Sequence, residues 1–217
     1  MYKAAIVYVG SQDSIAFIYD SNNLLTKVLE YYKTSITPYV QTYESDFGYD
    51  NGKLNKIRKI DLQRGYMTID SVIYDSGNRF LNDYKFLYDN TGKMYQVDTM
   101  TFLYTSDNQL DKIVYRYSSD KYTSTNGNIT KVENTESLIV HTYTFDNNIN
   151  PYKGNPYFFM KEEFYNSNNI LQNEYSDPDP TNTYAYTYTY VYDNIGYPVK
   201  MIQSWGGYAY TQQIYYK

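Results

Sequence analysis

The tetrad Asp89-Asn90-Thr91-Gly92 lies between the runs Phe86-Leu87-Tyr88 and Met94-Tyr95-Gln96-Val97, and variants of this unit recur along the chain. Asp89 can accept a bond from the backbone two residues on. Gly92 can take φ > 0 with no Cβ to clash, so the chain reverses here as a β-hairpin. With Asp89 opposite Lys93 across a three-residue loop, Tyr88 faces Met94. Further copies are Tyr19 to Leu25, Tyr49-Asp50-Asn51-Gly52-Lys53-Leu54, Tyr74 to Phe80 and Tyr104 to Leu110. Later come Thr125-Asn126-Gly127-Asn128-Ile129, Phe145-Asp146-Asn147-Asn148-Ile149, Phe164 to Leu171, Tyr192 to Pro198 and Trp205-Gly206-Gly207-Tyr208. A chain interrupted this often by reversal signals has only hairpins available to it.

Counting outward from each turn sets Tyr19 opposite Leu25, Tyr49 opposite Leu54, Tyr74 opposite Phe80, Tyr104 opposite Leu110 and Tyr165 opposite Leu171. Each is an aromatic ring against an apolar partner, worth roughly 0.2–1 kcal/mol over an Ala pair. Pro198 falls opposite Tyr192 and cannot donate a ladder bond, so an edge or a bulge is expected there. Leu25, Val28, Leu29 and Tyr32 have helical spacing. They also follow a turn in strand register and sit among β-formers, so Leu24 to Lys33 is read as strand. The expected fold is all-β: an antiparallel meander of repeated hairpins with about sixteen strands, in a barrel-like or strongly curved sheet. One repeat-built domain over residues 1–217 accommodates it.

Composition removes several function classes. The formal net charge of −5 lacks the basic footprint that nucleic acid requires. No Cys is present, which removes disulfides and thiolate metal sites, and a single His leaves too few nitrogen ligands for zinc. No apolar run is long enough for a transmembrane helix. A membrane β-barrel needs an outward apolar band, and the mean hydropathy of −0.67 with charges in most strands speaks against one. Met1 to Gly10 is too short for a signal h-region, so the chain reads as cytoplasmic or, preferably, as a mature secreted fragment.

Within Tyr184 to Tyr192, five tyrosines alternate with Ala185, Thr187, Thr189 and Val191, placing Tyr184, Tyr186, Tyr188, Tyr190 and Tyr192 on one face. Such a face is either a tyrosine-lined core or an aromatic platform that stacks sugars or a partner strand. Trp205, beside Gly206-Gly207, is either an exposed stacking surface or a plug for one end of the sheet. The candidate ligand-binding residues are therefore Tyr184, Tyr186, Tyr188, Tyr190 and Trp205.

The run aromatic-Asp-x-x-Gly-x-apolar at Tyr88 to Met94, echoed at Tyr19, Tyr49, Tyr104 and Tyr192, resembles the YD repeats of the RHS superfamily, whose hairpin arrays build a β-shell. The Asn- and Tyr-rich style, with Leu-x-Lys-Ile or Val after the turn, is similar to surface lipoproteins of Bacteroidetes of unknown function with a porin-like fold. In the RHS repeats Gly-Arg usually follows the turn; here the residues are Gly52-Lys53, Gly92-Lys93 or Gly196-Tyr197. The resemblance implies a β-protein of the cell surface or periplasm, held by a lipid anchor upstream of this chain.

Catalytic chemistry is sparsely represented. His141 is the sole base for a nucleophilic triad and lies in an alternating strand, where a structural or surface role is the better reading. P-loop and Rossmann glycine patterns are absent, and no cofactor is expected. Asp177 to Asn182 lacks the ligand spacing of a calcium loop. Glycoside hydrolysis needs only two carboxylates, for which Glu162, Glu163 and Glu174 are the candidates outside turns. The sequence thus points to a non-catalytic binding or structural module with a glycan or protein ligand; the alternative is a glycoside hydrolase using paired carboxylates.

Overall fold

The computed structural model describes residues 4–5, 13–33, 38–159 and 161–216. Among them, β1 (Ala4–Ala5), β2 (Asp13–Tyr19), β3 (Leu25–Tyr32), β4 (Val40–Asp50), β5 (Lys53–Asp61), β6 (Met67–Tyr74), β7 (Phe80–Tyr88) and β8 (Met94–Tyr104) come first. Then follow β9 (Leu110–Val114), β10 (Ser119–Thr125), β11 (Asn128–Asn134), β12 (Val140–Ile149), β13 (Asn168–Ser176), β14 (Tyr184–Tyr192), β15 (Pro198–Trp205), β16 (Tyr208–Gln213) and β17 (Tyr215–Tyr216). Strands β2 to β16 hydrogen-bond in chain order as one fifteen-stranded antiparallel meander, and β1 pairs separately with β17. The chain divides into two compact units within β8: residues 1–101 with 215–217, and residues 102–214. Among the described residues helix is confined to one four-residue turn, α1 (Glu162–Tyr165), and two 3-10 turns.

The hairpins close by one device. The Asp89 amide donates to the Lys93 carbonyl and the Gly92 amide to the Asp89 carbonyl, both at 3.0 Å. The Asp89 carboxylate then accepts the amides of Thr91 (2.9 Å) and Lys93 (3.0 Å). Asp20, Asp75 and Asp193 repeat the arrangement, and at Thr105 the hydroxyl accepts the Gln109 amide at 3.2 Å. In each, the residue two before the returning strand has positive φ: Asn23 (70°), Asn78 (64°), Gly92 (80°), Asn108 (61°) and Gly196 (87°). Asn51-Gly52, Asn126-Gly127 and Gly206-Gly207 instead make two-residue turns with both φ values positive. At the other strand ends, Asp61 and Asn134 accept two amides each from four-residue loops.

The expected pairs Tyr19–Leu25, Tyr49–Leu54, Tyr74–Phe80, Tyr88–Met94 and Tyr192–Pro198 are all in register. One residue beyond each, the register slips by one, so that Thr26, Asn55, Leu81, Tyr95 and Val199 are extra residues, two against one, on the returning strand. The bulge at Pro198 is therefore shared with the other four of these hairpins rather than peculiar to proline, whereas the terminal hairpin at Trp205–Tyr208 pairs without one. Its effect is to bring residues three apart onto the same face. Leu25 with Val28, Leu54 with Ile57, Leu110 with Ile113, and Ile129 with Val132 are all buried. The helix-like spacing of Leu25 and Val28 is the mark of this bulge, and β3 is a strand.

Two expected hairpins are not formed. Phe145 to Ile149 is not a reversal, because β12 runs through to Ile149. Asp146 has other partners there: the amides of Asn148 (2.9 Å) and Asn169 (3.1 Å) and the Tyr192 hydroxyl. Tyr165 closes α1 and does not face Leu171; the pair in that register is Phe145–Ile170, with Leu171 as the bulge residue. Between β12 and β13 lies an insert whose Tyr152 and Phe158 are buried with ring centroids 4.6 Å apart. The fully buried Asn166 anchors it by accepting the Ile129 amide at 2.6 Å.

Asn55 is exposed, so Asn55→Ala should change unfolding free energy by less than about 0.5 kcal/mol. Deleting Asn55 removes the bulge and turns Leu54 or Ile57 out of the core, which should cost about 2–4 kcal/mol in urea unfolding. Gly92→Ala, at φ 80°, should cost about 1 kcal/mol in the same measurement.

Candidate functional site

Strand β14 sets its tyrosines on the covered side of the second unit: Tyr186, Tyr188, Tyr190 and Tyr192 are half-buried, whereas Thr187, Thr189 and Val191 are exposed. The ladder has two ends with different chemistry. At one end the Tyr190 hydroxyl donates to the Ile170 carbonyl (3.0 Å), and its ring lies 5.9 Å from that of Tyr192. The Tyr192 hydroxyl donates to Asp146. Burial first, and then the hydrogen bond to Asp146, pushes the Tyr192 pKa up, so this hydroxyl stays a donor.

At the other end the rings continue across neighbouring strands. Tyr175 and Tyr184 are paired in register and stack at 4.5 Å with 12° between planes. Tyr184 meets Tyr186 edge-on at 5.3 Å, Tyr186 lies 5.7 Å from Trp205, and Trp205 lies 6.0 Å from Tyr208. On the far side the His141 ring meets Tyr175 at 5.3 Å and Tyr143 at 6.2 Å. A strip of rings thus crosses β12 to β16, with Tyr184 44%, Trp205 39% and Tyr208 70% exposed. Trp205 is therefore an open ring in a terminal hairpin and not a buried plug.

Amides edge the strip. Asn173, in register with Tyr186, has its Oδ1 3.1 Å from His141 Nδ1, and Gln203 donates to the Tyr188 hydroxyl at 3.5 Å. The Tyr175 hydroxyl donates to Asp177 at 3.3 Å. Burial, followed by Asp177, raises the Tyr175 pKa; burial, followed by Tyr186, raises that of Tyr184. Both phenols are neutral near pH 7 and can donate or accept.

Of the sequence-derived candidates, Tyr184, Tyr186 and Trp205 come together, Tyr188 faces Gln203 beside them, and Tyr190 belongs to the structural end of the ladder. Tyr175, Tyr208 and His141 were missed by sequence reasoning. The signal for Tyr208 was its position across the Gly206-Gly207 turn from Trp205; Tyr175 required the β13–β14 register.

Of the three candidate carboxylates outside turns, the side chain of Glu174 is described. Glu174 is exposed on the opposite face, where it accepts from Gln172 (2.7 Å) and Thr142 (3.4 Å). The side chains of Glu162 and Glu163 lie outside the described part of the structure. Asp179 caps a 3-10 turn at Thr181, and Asp177 accepts the Asp179 amide. Among the described residues no group of three or more His, Cys, Asp or Glu is arranged to hold a metal, and no helix is long and apolar enough to cross a membrane.

No protein-family model matches the chain, and no curated protein does. Among solved structures, a porin-like protein from Bacteroides uniformis ATCC 8492 superposes with a TM-score of 0.59 at 16% identity, over 94% of this chain and 90% of that one. The fold is shared with that protein. A porin-like protein from Bacteroides vulgatus ATCC 8482 gives a TM-score of 0.49 at 11% identity, covering 98% of each chain.

Tyr190→Phe removes a bond to a carbonyl in the buried Ile170 and should cost about 1 kcal/mol of stability. Tyr208→Phe, at an exposed ring, should change stability by less than about 0.5 kcal/mol. Chemical denaturation of the two variants checks both.

Proposed function

We propose that this chain is a non-catalytic binding module of the bacterial cell surface or periplasm, and that a glycan docks on the strip Tyr175–Tyr184–Tyr186–Trp205–Tyr208. The observation that carries the reading is the continuity of these rings, with open faces at Tyr184, Trp205 and Tyr208 and the amides of Asn173 and Gln203 alongside. Sugar rings offer C–H faces that pack on aromatic rings and hydroxyls that pair with amides and phenols. Rigid aromatics with two side-chain torsions also lose little entropy when they are covered.

Location at the surface or in the periplasm, through a lipid anchor, is supported by the turn style shared with YD-type arrays and surface lipoproteins. The charges favour a module working in water over a lipid-facing barrel. In the first unit, one face carries Lys27 with Glu44 (2.5 Å) and Asp46 (3.1 Å), and Arg58 with Asp46. The core side of the same strands carries Lys59–Glu30 (2.9 Å). In the second unit, Lys131–Glu133 (2.8 Å) lies opposite the core residue Val132. Each Lys or Arg held at a bilayer midplane would cost a barrel roughly 2–4 kcal/mol.

Affinity electrophoresis against a panel of plant and microbial polysaccharides tests the reading. At least one should retard the protein. Tyr186→Ala and Trp205→Ala should each weaken that retardation by about 2- to 12-fold, the equivalent of roughly 0.5–1.5 kcal/mol per ring. Thr189→Ala, on the opposite face, should leave it unchanged. Retardation insensitive to both ring variants would overturn the assignment of the strip.

A further inference from the structure

A second feature, in the first unit, has no part in ring stacking. Asp83 on β7 is fully buried, and both of its carboxylate oxygens lack a hydrogen-bond partner. Its register partners are Val72 on β6 and Met100 on β8, both buried and apolar. Diagonally placed on β6 is Asp70, whose buried Oδ1 also lacks a hydrogen-bond partner and lies 3.5 Å from Lys85 Nζ. Lys85 is two residues from Asp83 on the same strand face, in register with Asp70 and with Asp98 on β8. Asp98 accepts from Gln96 at 2.7 Å, and on the same face of β5 Lys59 is engaged by Glu30 at 2.9 Å. One ammonium group, Lys85, therefore serves the fully buried Asp83, the half-buried Asp70 and the edge of a third carboxyl.

We propose that Asp83 is a proton-binding site, its bound proton directed at the Asp70 carboxylate, and that loss of this proton as pH rises loosens the β6–β8 sheet. Two carboxylates sharing one apolar wall cannot both ionise without an uncompensated buried charge. A proton on Asp83 removes one of the two charges and turns an orphaned acceptor into a donor facing the Asp70 side of the sheet. Burial first, and then the Asp70 charge, moves the Asp83 pKa up to about 7 against the opposing pull of Lys85. Burial likewise raises Asp70, with Lys85 opposing. The folded state thus binds a proton that the unfolded chain has already released above its ordinary carboxyl pKa. Stability falls as pH rises from that ordinary value through the folded-state pKa, and it levels off beyond.

The test uses the full chain. Carbon-13 NMR of the Asp83 carboxyl should show titration near pH 7, far above exposed carboxyls. From pH 5 to pH 8 the opening equilibrium of the Val72 and Met100 amides in hydrogen exchange, corrected for intrinsic rate, should rise on the order of 100-fold. Asp83→Asn should remove most of that rise. Titration of Asp83 in the ordinary carboxyl range, or an Asp83→Asn variant with the wild-type pH dependence, would overturn the proposal. If the variant does not fold, the carboxyl titration of the wild-type chain decides the question by itself.

Discussion

Each three-residue hairpin depends on a side-chain oxygen that the turn cannot replace. A tight reversal leaves two backbone amides pointing inward with no carbonyl to receive them. In the copies at Asp20, Asp75, Asp89 and Asp193 one carboxylate oxygen accepts both. The Arg79 amide contributes most to lowering the Asp75 pKa, and the Thr91 hydroxyl most to lowering that of Asp89. With the amides held, the residue between them is carried into positive φ, and Asn or Gly is the residue that accepts it. Everything outward of the turn inherits its register from this arrangement.

The first inherited feature is the aromatic–apolar pair, and the second is the bulge one residue further on. Together they explain why the apolar residues of the returning strands sit three apart while remaining on one face. This is also where the sequence was legible and where it was not. Asx chemistry and the tyrosine beside it are local, so turns and pairs could be read from Tyr19, Tyr49, Tyr74, Tyr88 and Tyr192. The bulge is local too, written in the spacing of Leu54 and Ile57, but strict alternation and helical periodicity are the two templates usually compared, and it matches neither. Asp146 was misread because an Asp beside two Asn has the chemistry of a turn, and only tertiary partners, Asn169 and Tyr192, direct it elsewhere.

The candidate site shows the same division. Alternation placed Tyr184 and Tyr186 on one face, and Trp205 next to its turn. That the face is a strip extending to Tyr175 and Tyr208 depends on the pairing of β13 with β14 and of β15 with β16, which a list of residues does not contain. Asp83 shows the limit most plainly. In sequence it is an ordinary acid in an alternating strand; its lack of hydrogen-bond partners arises only because Val72 and Met100 flank it. Both features belong to a wide sheet in which polar groups take places that aliphatic side chains would fill in a simpler core.

The central claim, that a turn-proximal bulge puts apolar residues three apart on the core face of the returning strands, is tested most directly by solvent paramagnetic relaxation of side-chain methyls in the native protein. A soluble nitroxide should leave the methyls of both members of Leu25/Val28, Leu54/Ile57, Leu110/Ile113 and Ile129/Val132 protected, while Thr26 and Thr130 relax faster. If one member of each pair relaxes as fast as an exposed side chain, the strands alternate without a bulge, and the account of the fold is contradicted.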